Sequence, residues 1–318
     1  MMSNTKMRQN IVLAIVAVVL VVARLSCIRY EMMVGKADKP IVEPIAESGT
    51  IRVELGVYPY RFALQPRRMA VLELVKVEAG AFEMSVDKVE NDSICEVPHH
   101  ATITHDFYIG RTEVTQAQWK SVMGSNPSCD LEPDGPVECV SWHNAMDFCE
   151  KLNAMGKAPE GWRFSLPTET QWEFAARGGN RSRGFRFSGS DDPDEVAWYD
   201  TTGDFLDWHL HPVGGKTPNE LGIYDMSGNV WEWCLDDWQK DSSKLEAEFV
   251  RGNDKDATER AKRGGCFTNH DLPCRVANRN SYPSGEENLD TGFRVALVPE
   301  SYRNDLSASL QPSPSATP

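Results

Sequence analysis

Apolar and polar positions alternate with period two along "LELVKVEAGAFEMS", residues 72–85, which predicts a strand pair broken at Ala79-Gly80. Upstream, "TIRVELGVYPYRFAL" predicts an extra strand or pair, and "DKPIVEPIAESG" before it reads as linker. The period then changes to that of helices. "TQAQWKSVMG" opens with a Thr115/Gln118 capping box and ends at Gly124. "SWHNAMDFCEKLNAMG" places Trp142, Ala145, Met146, Phe148, Cys149 and Leu152 on one helical face. "LPTETQWEFAARGG" repeats the capping box with Thr168/Gln171 and stops at Gly178-Gly179. Beyond it the chain is loop-rich with short strands, so a few helices pack on irregular strands in an α+β domain. Gln239–Lys262 reads as a charged, exposed insertion, and the Ser/Pro-rich residues 299–318 as a disordered tail.

The N-terminus adds a location. Lys6 and Arg8 precede the uncharged run Ile11–Ala23, thirteen residues long and too short to span as a helix of about 20 residues. It suits the 7–15-residue apolar region of a signal peptide. Val21-Val22-Ala23 offers a cleavage site, Cys27 in "ARLSC" a lipid attachment point, and Arg24 a snorkelling end for an uncleaved anchor. Residues 1–27 are thus a signal peptide, lipoprotein signal or signal anchor, 28–69 a linker with possible extra strands, and 70–298 the main domain. All three leader readings export the chain to a periplasmic or cell-surface, membrane-anchored position. A net charge of −14 argues against nucleic acid as a partner.

Export makes disulfides the expectation for the cysteines. Cys129 and Cys139 flank the loop "CDLEPDGPVEC", whose closure would contribute roughly 3 kcal/mol. Cys149, on the apolar helical face, reads as a small core residue. The stretch "GIYDMSGNVWEWC", residues 222–234, is more specific: Asp225 and Glu232 bracket the turn Ser227-Gly228, and carboxylates with bent backbone carbonyls suit a hard cation. A tight turn followed by a core strand is the simpler alternative. His209 and His211 in "HLH" could share a metal on one strand face. His99 and His100 read as ordinary surface or core groups.

Six blocks in one order carry a further reading: "FYIGRTEVTQAQW", "PVECVSWHNAMDFCEKLN", "FSLPTETQWEFAARGG", "PNELGIYDMSGNVWEWC", "RGGCF" and "TGFRVAL". Over residues 70–298 the chain resembles the sulfatase-modifying-factor family, the domain of formylglycine-generating enzymes. The resemblance implies a C-type-lectin-like α+β fold with little regular secondary structure. It also implies Ca²⁺ held by the side chains of Asp225 and Glu232 and the main-chain carbonyls of Gly228 and Val230. A second calcium site of the family depends on a longer segment after "AWY" than Tyr199–Asp207 provides here.

The enzymes of that family oxidise a sulfatase cysteine with O₂ and Cu(I), held between two thiolates five residues apart after an "RGGS" block. This chain reads "RGGCFTNHDLPCRVANRN": the first thiolate position falls on Asn269, and the next cysteine is Cys274. Cys266 replaces the serine, so a copper pair would have to be Cys266/Cys274. A disulfide involving Cys234, Cys266 or Cys274 is the stronger expectation. Three functions follow. The chain is a binding or assembly module for a protein or peptide held in a loop-built cleft, an oxidase using Cys266 and Cys274, or a variable ligand-display protein. The last would present Phe267–Leu272 and Asn278–Asp290, where Asn269, Asn278, Asn280 and Asn288 cluster.

Overall fold

In a computed structural model, the described residues all belong to one unit that begins at Val42. The structure describes residues 42–45, 49–58, 68–86, 98–204, 208–241 and 258–301. The leader with Cys27, most of the charged insertion and nearly all of the Ser/Pro tail lie outside them.

A six-stranded antiparallel sheet organises the domain. Its spatial order is β1 (Val42–Ile45), β2 (Thr50–Tyr58), β3 (Arg68–Val77), β6 (Phe107–Gly110), β12 (Ala296–Pro299) and β7 (Trp162–Ser165). Residues 50–58 are therefore part of the main sheet. β4 (Gly80–Met84) follows β3 at the expected break, but the two do not pair: β4 joins β5 (His99–Ile103) in a separate two-stranded ribbon. The alternation marks both strands correctly and says nothing about their partners, which are non-local.

The period of two has a second use here. Leu72 and Leu74 of β3 face one core, with Trp119, Phe148, Phe293 and Leu297. Val75 and Val77 of the same strand face another, with Phe107, Ile109, Trp172, Phe174 and Val298. Helices α1 (Gln116–Met123) and α2 (Trp142–Ala154) contribute to the first core and α3 (Glu169–Ala176) to the second. All three begin with a reciprocal capping box: Thr115/Gln118 and Thr168/Gln171 as the sequence predicts, and Ser141/Asn144 besides. Such a cap contributes about 1 kcal/mol and fixes where the helix starts. Cys149 is fully buried in the first core, as its helical position predicts.

A four-stranded sheet of β10 (Arg279–Pro283), β9 (Glu259–Arg263), β8 (Trp231–Asp237) and β11 (Thr291–Gly292) carries the functional loops. β8 lies between both cores: Trp233 enters the first and Cys234 the second. The "NVWEWC" segment is accordingly buried from Asn229 through Cys234.

Candidate functional site

The turn before β8 is built from left-handed backbone, with φ of 58° at Asp225, 81° at Gly228 and 61° at Asn229. At Gly228 the requirement is absolute, because a Cβ there would lie 2.2 Å from the carbonyl oxygen of Trp198. Backbone bonds from Gly228 N to Gly264 O (2.8 Å), Asn229 N to Trp198 O (2.8 Å) and Phe267 N to Asn229 O (2.9 Å) fasten the turn to its neighbours.

Under this turn lies a fully buried charge cluster. Arg294, in the loop before β12, holds Glu232 with both arms: Nε donates to Oε2 and Nη2 to Oε1, each at 2.6 Å. Trp172 Nε1 donates to the same Oε2 at 2.7 Å. The remaining Arg294 donors reach the carbonyls of Gly110 and Tyr224. Glu232, expected as a calcium ligand, is thus already paired with a guanidinium. Asp225 Oδ2 accepts from Gly214 N at 2.6 Å, while its Oδ1 is buried with no partner. A third acid completes the group. Both carboxylate oxygens of Glu113 are buried and unpartnered, and its carboxyl meets that of Asp225. Burial, then the charges of Asp225 and Glu232, push Glu113 well above the usual carboxylate range; burial likewise raises Asp225.

Three carboxylates facing one guanidinium in a dry interior leave an excess of negative charge and three orphaned oxygens. A hard divalent cation takes oxygen donors and would offset that charge, but these three acids do not place one oxygen each close enough together to share an ion. Asp225 supplies a free oxygen, Glu232 one already in an ion pair, and the Gly228 and Val230 carbonyls belong to the same turn. Glu113 was not singled out by sequence reasoning. Its only signal is an acid amid the buried positions of "EVTQ".

The second region is the loop after β9. Cys266 is buried; its Sγ lies 3.2 Å from Thr268 Oγ1 and 3.8 Å from Asp290 Oδ2. Burial, then Asp290, push this thiol up to about 12. Cys274 is also buried, with Sγ 3.6 Å from the His270 carbonyl, and Gly265 is needed beside it, since a Cβ there would come within 2.8 Å of that sulfur. Burial raises this thiol well above the usual range too. Asn269, at the expected first thiolate position, has a buried Oδ1 without a partner. Lys262 lies between the Trp231 and Tyr282 rings and donates to Thr291 Oγ1 at 3.3 Å.

The described cysteines are all free thiols, so the disulfide expected among Cys234, Cys266 and Cys274 is not formed. Each sulfur has its own surroundings, Cys234 facing the Glu232 carbonyl. Cys129 and Cys139 do come together, at 3.0 Å and unbonded. Among the described residues they and Glu138 form a trio close enough to share one ion. His209 and His211 lie side by side, ring centres 4.5 Å apart, with His211 stacked on Trp198 at 3.7 Å. The expected shared metal gains no third His, Cys or acidic ligand there among the described residues.

The loops around Cys266 are joined to one another: Cys139 N donates to Asn288 O and Asp200 N to Asn269 O. Leu131, Trp208, Leu272 and Leu289 on these loops are 66%, 42%, 43% and 51% exposed.

A braced turn before β8, a thiol loop and three capped helices on a curled α+β frame define a family. Residues 61–298 match the sulfatase-modifying factor enzyme 1-like domain, and the chain belongs to that family. It is 37% identical over 158 residues to the chaperone protein LppX of Paenibacillus barcinonensis, covering 40% of this chain and 53% of that protein. It is 33% identical over 201 residues to the formylglycine-generating enzyme of Thermomonospora curvata, covering 58% of this chain and 63% of the enzyme. The chain thus matches between half and two thirds of the length of these relatives. Among solved structures, Treponema denticola variable protein 1 superposes with a TM-score of 0.59 at 28% identity, over 71% of this chain and 95% of that one. The fold is C-type-lectin-like, of the formylglycine-generating enzyme type.

Proposed function

We propose that this chain is an exported, membrane-tethered member of the family that works as a calcium-braced binding or assembly module and does not generate formylglycine. The observation that carries the reading is the thiol loop. Asn269 stands where one of two copper thiolates is expected, and an amide is a poor ligand for Cu(I). Cys274 supplies one sulfur; Cys266, at the serine position, engages Thr268 and Asp290 instead. Both thiols are held protonated by burial, which disfavours the soft two-sulfur site that the oxidase alternative requires. Four exposed apolar side chains on hydrogen-bonded loops supply contact area for a protein or peptide. The likeness to a variable protein and to a chaperone supports recognition over turnover.

The test incubates copper-loaded protein with a sulfatase-motif peptide and follows the cysteine-to-aldehyde mass change. No conversion is expected. Conversion abolished by Cys266→Ser or Cys274→Ser would establish the oxidase instead. Export is tested by fractionating cells that express the full chain; recovery in the soluble cytosol would refute it.

A further inference from the structure

We infer that Cys129, Glu138 and Cys139 form a metal site for a thiophilic divalent cation of the zinc type, which clamps the loop between them. The site uses none of the residues of the Asp225 turn or of the thiol loop after β9, so it stands whether or not that turn holds calcium. The three residues bring their donor atoms, two sulfurs and a carboxylate oxygen, within 4.8 Å of one another. The sulfurs are 3.0 Å apart and unbonded. Two sulfurs each about 2.3 Å from one tetrahedral zinc stand about 3.8 Å apart, so an entering ion asks them to part by under about 1 Å. The exposed Cys129 side chain can give way by that much. Cys139 is half-buried, and its N–H is fastened to the Asn288 carbonyl at 3.0 Å.

The same two thiols could instead join as a disulfide, and Glu138 decides between the two. Its side chain is buried. Oε1 accepts from Cys129 N at 2.5 Å and from Asp130 N at 3.1 Å, while Oε2 has no hydrogen-bond partner. A disulfide brings neither charge nor donor to that oxygen and leaves its desolvation uncompensated. A cation answers the free oxygen and both sulfurs together. Protonation points the same way. Burial pushes the Glu138 carboxyl up despite the Cys139 thiol and the two N–H donors beside it. Burial, then Cys129 and Glu138, push the Cys139 thiol up. Both shifts express a want of positive charge. A divalent ion displaces the two thiol protons to solvent and binds the thiolates so formed.

The donor set names the class of ion. Calcium takes oxygen alone and Cu(I) prefers sulfur, whereas zinc accepts both in one tetrahedron. Three protein donors leave a fourth position, which the exposure of Cys129 opens to water. The consequence is mechanical. Gln116, in the first turn of α1, already holds the loop, donating Nε2 to the Asp130 carbonyl and accepting from Glu132 N. An ion adds a clamp across the two ends of the same loop, which displays the exposed Leu131.

The experiment keeps the full chain reduced with a phosphine and titrates Co²⁺, whose absorption reports thiolate ligands in a tetrahedron, before displacing it with Zn²⁺. Wild type should bind one ion and show the thiolate-to-cobalt band. Cys129→Ser and Cys139→Ser should each lose that band. Glu138→Gln should keep it with binding at least about tenfold weaker, the loss that even an outer partner of a ligand causes. Where Glu138→Gln fails to fold, the two cysteine variants carry the test alone. Cys266→Ser and Cys274→Ser should leave the titration unchanged. A band lost in those two and kept in the Cys129 and Cys139 variants overturns the proposal by moving the ion to the other loop. A reduced wild type without the band overturns it as well. So does alkylation of thiols in living cells, followed by mass spectrometry, that finds Cys129 bonded to Cys139, because the sulfurs are then spent on each other.

Discussion

The turn of residues 224–232 and the loop of residues 262–274 are neighbours joined by backbone hydrogen bonds, yet they are held in opposite ways. In the turn, nearly every constraint is doubled. Its glycine admits no side chain, and its glutamate is gripped by a bidentate guanidinium and an indole. In the thiol loop the side-chain contacts are weaker: Cys266 leans on a threonine hydroxyl and, at longer range, on Asp290, Cys274 on one carbonyl, and Asn269 Oδ1 on nothing. The difference is one of strength: ionic pairing braces the turn, while weak sulfur contacts and backbone hold the thiol loop.

The largest blow to this contrast should come from Arg294→Met. It leaves Glu232 buried beside two further acids, and removing one partner of such a pair costs about 3–5 kcal/mol. Urea unfolding checks it, and a loss under about 1 kcal/mol, the size of a surface pair, would mean the turn is no better braced than the loop. Removing calcium comes next. A ligand at a hundred times its dissociation constant stabilises by about 2.7 kcal/mol, so chelator should lower the melting temperature by several degrees. Asp225→Ala should abolish that response, and a melting curve indifferent to both would reduce the site to a plain turn.

Cys266→Ser should be smaller, about 1 kcal/mol for a buried sulfur with weak hydrogen bonds, read by the same unfolding curve. A larger effect than that of Arg294→Met would invert the comparison. The smallest effect concerns His211. Burial, followed by the charges of His209 and Lys216, holds its imidazole down to about 4. The folded value lies below the unfolded one of about 6.5, so the fold favours the neutral ring. Its contribution to stability is complete above about pH 6.5 and is lost as pH falls toward 4. Since the residue is only partly covered, the slope is shallow, and His211→Gln should flatten it in melting curves taken at stepped pH.

Much of this was legible in the sequence because it is local. The capping boxes at Thr115/Gln118 and Thr168/Gln171 depend on residues three apart, and both appear where the pattern puts them. The core face of α2, with Cys149 on it, follows from the helical period. Partnership between distant segments was not legible. Nothing in "LELVKVEAGAFEMS" says that β3 and β4 enter different sheets. The acids of the turn could be read as a cation site, but Glu113 and Arg294 reach it from opposite ends of the domain, and only the closed sheet brings them there. Cysteine pairing failed for the same reason: sequence spacing carries no information on where a buried sulfur points.

The place of β12 has a consequence for how the chain comes into being. This strand, among the last residues described, is inserted between β6 and β7, and Phe293 and Arg294 immediately before it complete a core and a charge cluster. A ribosome delivers it after almost everything else. Until it arrives, β6 and β7 lack the strand between them, and Glu232 lacks its cation partner. Sheet closure by β12 is a long-range contact, of the kind that forms slowly. A polypeptide interrupted before Ala296 would carry an open sheet edge and an unpaired buried acid, marking it for quality control as unfinished.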